Sequence, residues 1–300
     1  MMKIGFSSAV CPAWDLETIV TQAGSLGFDG IELRGLRGEM HLPLVPELAG
    51  RPDRVRAMCA ENNVELVCLA ASATLDSRQP EVLARQKQLI TEYIELAAEL
   101  ECPYVRLFAG EVQARDHRGA ALARIAEALI SLVAVASKHG VTILLENGGD
   151  FSGSDDLWFL IDVVEHPAVR GCWNQCQAMT VGERPTISLP RLGHKIGLVH
   201  LCDAEFDETG VLLDYKPLGQ GHVEIARQIE LLRGLVYDRY LIFDWPKLWV
   251  AGLAEPETVL PQTATFLRER LAEKQPILSA YKGDKHAPRM AARAQEGATS

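Results

Sequence analysis

Four polar residues end or interrupt short apolar runs. Glu146 follows Ile143-Leu144-Leu145, Asn174 follows Gly171-Cys172-Trp173, His200 sits between Val199 and Leu201, and Asp244 between Phe243 and Trp245. A carboxylate among such neighbours is costly to bury, so each needs a partner, a metal or open solvent. Two carboxylates, an imidazole and an amide oxygen form a hard, oxygen-rich set with one nitrogen. That set suits Mn²⁺, Mg²⁺ or Co²⁺ and tolerates Zn²⁺. Taken singly, a strand-end acid caps the next helix and a lone His is a satisfied core residue. Four in succession favour a shared site. A soft-metal site on Cys172 and Cys176 is the weaker alternative.

The elements around these residues must make them converge. Short apolar runs at 3–8, 30–34, 64–70, 103–109, 141–146, 169–174, 196–203 and 239–245 read as strands. Helical stretches follow them at 14–27, 52–62, 80–100, 117–139, 154–165, 186–194, 223–234 and 256–273, with Asp15 as a cap and Gly27 and Gly140 as stops. Alternating strands and helices imply a parallel sheet with right-handed crossovers. Eight pairs in one unit, residues 1–273, predict a single-domain α/β (β/α)8 TIM barrel. An open doubly wound sheet would announce itself by a glycine-rich first turn. Here that turn is SSAVCPAW. In a barrel, catalytic groups gather at the C-terminal strand ends. Period-two alternation puts Cys172 with Asn174 on one face, and Ile242 with Asp244 on another.

Other polar groups surround this ring. Arg34 and Arg106 end the second and fourth strands, and each fits a phosphate or carboxylate bidentately. Asp203 is placed to orient His200 or a loop. Composition excludes some function classes. The formal charge of −10 disfavours a nucleic-acid binder, which needs a concentrated basic face. No run approaches a membrane span, and MMKIGFSSAV lacks the features of a signal peptide. Seven scattered cysteines in apolar surroundings read as buried, reduced thiols, with the cytoplasm as the expected compartment. Residues 274–300 are basic and rich in Ala, Gly and Pro, the composition of a disordered tail.

The stretches GFDGIELR (27–34), YVRLFAG (104–110), ILLEN (143–147), HPAVRGCWN (166–174), LVHLCDA (198–204), PLGQGHV (217–223) and LIFDWPKLW (241–249) together resemble a known family. It is that of the xylose isomerase-like (AP endonuclease family 2) TIM barrels, the sugar phosphate isomerases and epimerases. The resemblance implies one divalent metal, Mn²⁺ foremost, held by Glu146, Asn174, His200 and Asp244. It also implies that Glu146 and Asp244 double as the acid/base pair. Asn174 stands where the family has Asp, Asp244 where it has Glu, and Gln177 where it often has a substrate-contacting His. Lys247 corresponds to a family lysine in the loop after the last strand and is a further substrate-binding candidate, and His222 stands where relatives often have an acid.

The activity so implied is proton transfer next to a carbonyl of a keto sugar or polyol derivative, through an enediolate, giving isomerisation or epimerisation. A lyase or dehydratase on keto sugars or cyclic polyols would share the site. A sugar-binding or regulatory homologue with weakened catalysis is the reading from another class, favoured by the altered residues at 174, 177 and 244. The expected partner is a small sugar or polyol, with no nucleic acid and no membrane; a homo-oligomer stays open.

Overall fold

A computed structural model describes residues 1–273. The basic segment 274–300 lies outside the described residues. Eight parallel strands close into a barrel: β1 (Lys3–Ser7), β2 (Gly30–Leu33), β3 (Glu65–Thr74), β4 (Tyr104–Phe108), β5 (Thr142–Glu146), β6 (Val169–Asn174), β7 (Ile196–Leu201) and β10 (Tyr240–Phe243). Closure comes from β1, which pairs with β2 on one side and β10 on the other. Backbones approach closely there. A Cβ on Gly5 would lie 2.5 Å from the Gly30 carbonyl oxygen and 2.7 Å from Ile242 Cδ1.

Helices α1 (Leu16–Ser25), α2 (Pro46–Ala49), α3 (Pro52–Glu61), α4 (Pro80–Glu99), α5 (Arg118–His139), α6 (Ser154–Val164), α7 (Gln175–Met179), α8 (Pro185–Leu192), α9 (Ile225–Gly234) and α10 (Pro256–Ala272) connect the strands. Their ends follow local chemistry. Asp15 caps α1 by accepting from the Thr18 N–H at 2.9 Å. Gly140 ends α5 with φ +68°, a left-handed conformation that glycine adopts without strain. By length and composition α5 could cross a membrane, contrary to the expectation that no run approaches that length. Here Ile125, Leu129 and Leu132 of α5 are buried in the core shared by barrel and helices.

One element was not expected. After β7 the chain forms an antiparallel hairpin, β8 (Asp203–Phe206) and β9 (Leu212–Lys216). Its turn is fixed by the Asp207 carboxylate, which accepts from the N–H groups of Thr209 and Val211 at 2.8 and 3.0 Å. The run 196–203 is therefore two strands, with a break at Cys202.

Alternation along the strands sorts the barrel interior into layers. Val67, Cys68, Leu144, Cys172, Leu198, Tyr240 and Ile242 form a small apolar cluster separate from the main core. One pleat further, the same strands present Glu146, Asn174, His200 and Asp244. All seven cysteines are buried and free, as their apolar surroundings predict.

Candidate active site

The register between strands sets the polar layer. Asn174 of β6 pairs with His200 of β7, and His200 with Ile242 of β10. A carboxylate–imidazole–carboxylate chain results. His200 Nδ1 lies 2.8 Å from Glu146 Oε1, and His200 Nε2 lies 3.0 Å from Glu32 Oε2. Arg106 Nε approaches Glu146 Oε2 at 3.0 Å. Arg106 also donates from Nη1 to the Ala71 carbonyl at 3.1 Å, and its guanidinium lies 4.3 Å from the Phe108 ring centroid. Glu32, Arg106, Glu146 and His200 are all nearly inaccessible to solvent. Two cations and two anions thus alternate in a neutral chain.

The electrostatics follow from these contacts. Burial opposes the ionised Glu146, but His200 and Arg106 outweigh it and hold the carboxyl below its ordinary range. Glu32 is drawn down to about 2, again against burial, by His200 and Arg106. Burial also opposes a charged His200, yet Cys172, Glu146 and Glu32 around it raise its pKa. The Cys172 thiol is itself pushed up to about 12, so it is neutral at pH 7 and the two carboxylates are the anions that hold the imidazolium.

Asp244 is different. Its side chain is one quarter exposed, and its Oδ2 lies 3.9 Å from His200 Nδ1. Burial raises its pKa to about 6; His200 draws it down while Glu146 and Glu32 push it up. Two carboxyl groups of one site are therefore poised oppositely, one firmly ionised and one close to neutrality.

Asn174 is oriented by the chain that follows it. Its Oδ1 accepts from the N–H groups of Cys176 and Gln177 at 3.1 and 3.4 Å and so caps α7. Its Nδ2 consequently faces Glu146 Oε1, at 3.1 Å. The amide oxygen expected to reach an ion is engaged by backbone. Asn147, just after Glu146, clasps β5 to β6. It accepts from Asn174 N–H at 2.7 Å and donates to the Asn174 carbonyl at 2.9 Å.

A cavity of about 340 Å³ opens above this layer, lined by Arg34, Arg106, Glu146, Asn174, Gln177 and Asp244. Cys176, Cys202, Phe108, Tyr215, Pro246 and Trp249 complete its walls. Four expected residues at the strand ends and the expected Arg34, Arg106 and Gln177 are therefore brought together. Two others lie elsewhere. Lys247 Nζ donates to the carbonyls of Ala251 and Leu253 and pairs with Glu255 at 2.8 Å, closing its own loop. Asp203 takes the loop role rather than that of a His200 partner. Its carboxylate accepts from the N–H groups of Gly219, Gly221 and Val223 at 2.8–3.0 Å. His222 Nδ1 accepts from the Phe206 N–H at 3.0 Å and so ties that loop to β8.

Glu32 was missed from sequence, although GIELR carried a signal: Glu32 and Arg34 are two apart and share a face. Tyr215 was missed with the hairpin that carries it. Trp249, from the stretch after β10, was read only as part of a family motif.

The donor set can be tested against a divalent ion. Donor atoms of Glu146, Cys172 and His200 lie within 4.8 Å of one another. Glu146 Oε2, though near Arg106, is buried without an aligned hydrogen bond. Glu32 binding at Nε2 fixes the imidazole with Nδ1 toward Glu146 and Asp244, the support usual for a metal-bound His. Glu146 and His200 therefore fit a divalent ion, with Cys172 the third donor within reach and Asp244, 3.9 Å from His200 Nδ1, at the edge of the group. Asn174 contributes no oxygen in this geometry, and Arg106 competes for Glu146.

The amino-acid sequence matches the family described as xylose isomerase-like TIM barrel over residues 20–270. No curated protein matches it in sequence. Solved structures share the fold at low identity. An L-ribulose 3-epimerase superposes with a TM-score of 0.76 at 18% identity, covering 96% of this chain and 100% of that one. A 3-keto-D-glucoside 4-epimerase from E. coli gives 0.73 at 16% identity, covering 90% and 100%. A probable 3-DHS dehydratase from Bacillus anthracis gives 0.74 at 17% identity, covering 89% and 99%. With 251 consecutive residues spanned by the family match and the eight-stranded barrel closed, the chain belongs to the xylose isomerase-like TIM barrel family.

Proposed function

We propose that the protein is an isomerase/epimerase-type enzyme that moves a proton next to the carbonyl of a keto sugar or polyol derivative. The observation that carries this reading is the oppositely poised carboxyl pair, Glu146 and Asp244, in one cavity. The sugar epimerases among structures of the same fold support it.

Asp244 is the better proton carrier. A general base works best with a pKa near the working pH, and Asp244 lines the cavity with its side chain one quarter exposed. Glu146 is pinned by His200, Asn174 and Arg106. It acts as the fixed anion and, in the metal-free site, relays a proton from the His200 imidazolium 2.8 Å away when a proton must return on the other face. Return by Asp244 to the neighbouring carbon isomerises; return from the Glu146 side epimerises. Arg106 and His200 keep positive charge beside a developing enediolate, where a dry site makes it effective. Gln177 and Arg106 line the walls that receive the substrate hydroxyls. A divalent ion, Mn²⁺ foremost, held by Glu146, His200 and Asp244 would displace the His200 Nδ1 proton and take over its charge, supplying a Lewis acid for the carbonyl and adjacent hydroxyl.

Solvent-deuterium incorporation into a panel of keto sugars, with and without added Mn²⁺, tests the reading. Label at an α-carbon is expected, and Asp244→Asn is expected to slow its entry about 10²–10⁴-fold. Sugar binding without label in any condition would instead support the non-catalytic homologue, which the capping role of Asn174 favours. Loss of a β-hydroxyl with labelling would support the dehydratase reading, which the dehydratase of the same fold favours.

A further inference from the structure

Arg34 stands just beyond β2 and lines the same cavity. It is only 7% exposed, yet among the described residues its guanidinium donates no hydrogen bond and has no carboxylate oxygen within 4.0 Å. Its Nε and Nη1 are buried with no partner at all. The other charges nearby are engaged: Glu32, His200, Glu146 and Arg106 form their own neutral chain. One face of the Arg34 guanidinium lies 5.3 Å from the Trp249 ring centroid, which holds the group in place without neutralising it. A buried charge without a counter-ion is expensive, and proteins keep such groups where a ligand supplies the missing partner.

We infer that Arg34 is a built anchor for a carboxylate, and that the substrate of this site is an acidic sugar derivative, a keto acid or uronate, rather than a neutral ketose. The inference rests on the proposed proton-transfer function and names its substrate class. The charge balance favours a carboxylate over a phosphate. One guanidinium is free, which matches a monoanion, and its planar fork matches a planar carboxylate. Placement agrees with the chemistry. Asp244 is the other charge left outside the paired chain, at the end of β10, and only β1 separates β10 from β2 in the barrel. The two strand ends are thus about 10 Å apart at the backbone. A short acidic sugar can be held at its charged end by Arg34 while a carbon beside its carbonyl meets Asp244.

Burial lowers the Arg34 pKa to about 10, with Arg106 repelling it further, so it still carries its charge at neutral pH.

Three achiral probes of matched skeleton test the inference free of stereochemistry: dihydroxyacetone, its monophosphate, and hydroxypyruvate, which replaces one hydroxymethyl group by a carboxylate. Affinity is read by calorimetry and enolisation by solvent-deuterium entry, on the full chain with and without Mn²⁺. Hydroxypyruvate is expected to bind at least tenfold more tightly than dihydroxyacetone. Arg34→Met should abolish that preference, and Arg34→Lys should retain part of it. Arg34→Met should also melt at a higher temperature than the wild type, since it removes an unpaired buried charge; a lower melting temperature would mark Arg34 as structural and overturn the proposal. Equal binding of hydroxypyruvate and dihydroxyacetone, tighter binding of the phosphate than of hydroxypyruvate, a preference that survives Arg34→Met, or no binding of any probe at millimolar concentration would each overturn it too. Arg34-dependent binding of hydroxypyruvate with no deuterium entry into any probe would uphold the anchor and count against the proton-transfer function. Deuterium entry without an Arg34-dependent preference would do the reverse.

Discussion

Two layers of the barrel interior, one pleat apart on the same four strands, differ in almost every physical respect. Leu144, Cys172, Leu198 and Ile242 form a floor with no exposed surface. Glu146, Asn174, His200 and Asp244 stand two residues further along, and hydrogen bonds and ion pairs link them. The floor determines how the rim behaves. It keeps water from below, so charges above it interact through a weakly polarisable medium. In such a place the nearest partner decides protonation. Glu146 and Glu32, in contact with cations, are driven down; Asp244, at the edge of the group, is driven up by burial.

The largest break in this arrangement is Glu146→Gln. It removes the anion between Arg106 and His200 and leaves two buried cations facing a neutral amide. A loss of about 3–5 kcal/mol in urea unfolding at pH 7 is expected. Because Glu146 has a lowered pKa in the fold, its contribution is complete above the ordinary carboxylate value of 4.5 and disappears as pH falls through the lowered one. Wild type and variant should converge in stability as the solution is acidified. Divalent-metal binding should be lost with it; a variant that unfolds like the wild type at pH 7 would show that the paired chain is not what holds the rim.

Asp244→Asn breaks the comparison in the opposite direction. The raised pKa of about 6 means that the folded state favours the neutral acid. Its stabilisation is complete below about 4 and is lost as pH rises through about 6. The amide keeps the neutral form at every pH. It should therefore stabilise the protein at pH 7 by up to about 3 kcal/mol and leave it unchanged at pH 4. Deuterium exchange should fall by orders of magnitude in the same variant, and wild-type exchange should rise with pH through about 6. A gain of stability with loss of activity would identify Asp244 as a strained working group; a loss of both would make it structural.

The comparison also shows what the sequence could and could not disclose. The rim was legible because period-two alternation puts Asn174 on the face of Cys172 and Asp244 on the face of Ile242. Strand and helix order was legible for the same kind of reason, since apolar runs alternate with helical stretches marked by a cap at Asp15 and stops at Gly27 and Gly140. Partner choice was not. Arg106 reads as a substrate anchor from its place at a strand end, but it pairs with Glu146, because the register sets Arg106 of β4 opposite Leu144 and Phe108 opposite Glu146. The orientation of Asn174 depends on where α7 begins, and α7 is only five residues long. The β8–β9 hairpin has a half-exposed second strand, so it carries no clean alternation of apolar and polar residues.

A smaller effect sharpens the role of Asn174. Asn174→Asp keeps the capping oxygen and replaces the amide NH₂, 3.1 Å from Glu146 Oε1, by a second anionic oxygen. Without metal the two carboxylates repel, so melting should occur at a lower temperature than in the wild type. With metal the added charge sits beside Glu146 and His200, and Mn²⁺ should bind about tenfold more tightly, about 1.4 kcal/mol. Unchanged Mn²⁺ affinity would place the ion away from position 174.

Lys247 gives the smallest expected effect and tests the boundary of the rim. Its side chain is largely covered, but it faces the carbonyls of Ala251 and Leu253 and the well-exposed Glu255. Glu255 is largely in water, and such pairs contribute little. Replacing Glu255 by Gln should therefore cost less than about 1 kcal/mol. Lys247→Met should cost more than Glu255→Gln, because it leaves two carbonyls without their donor. Neither change should alter deuterium exchange at saturating substrate. A clear fall in exchange for Lys247→Met, with melting unchanged, would mean that the lysine swings into the cavity when substrate binds. The rim would then extend beyond the strand ends into the segment that follows β10, and Trp249, two residues along from Lys247 and already stacked on Arg34, would be its natural companion.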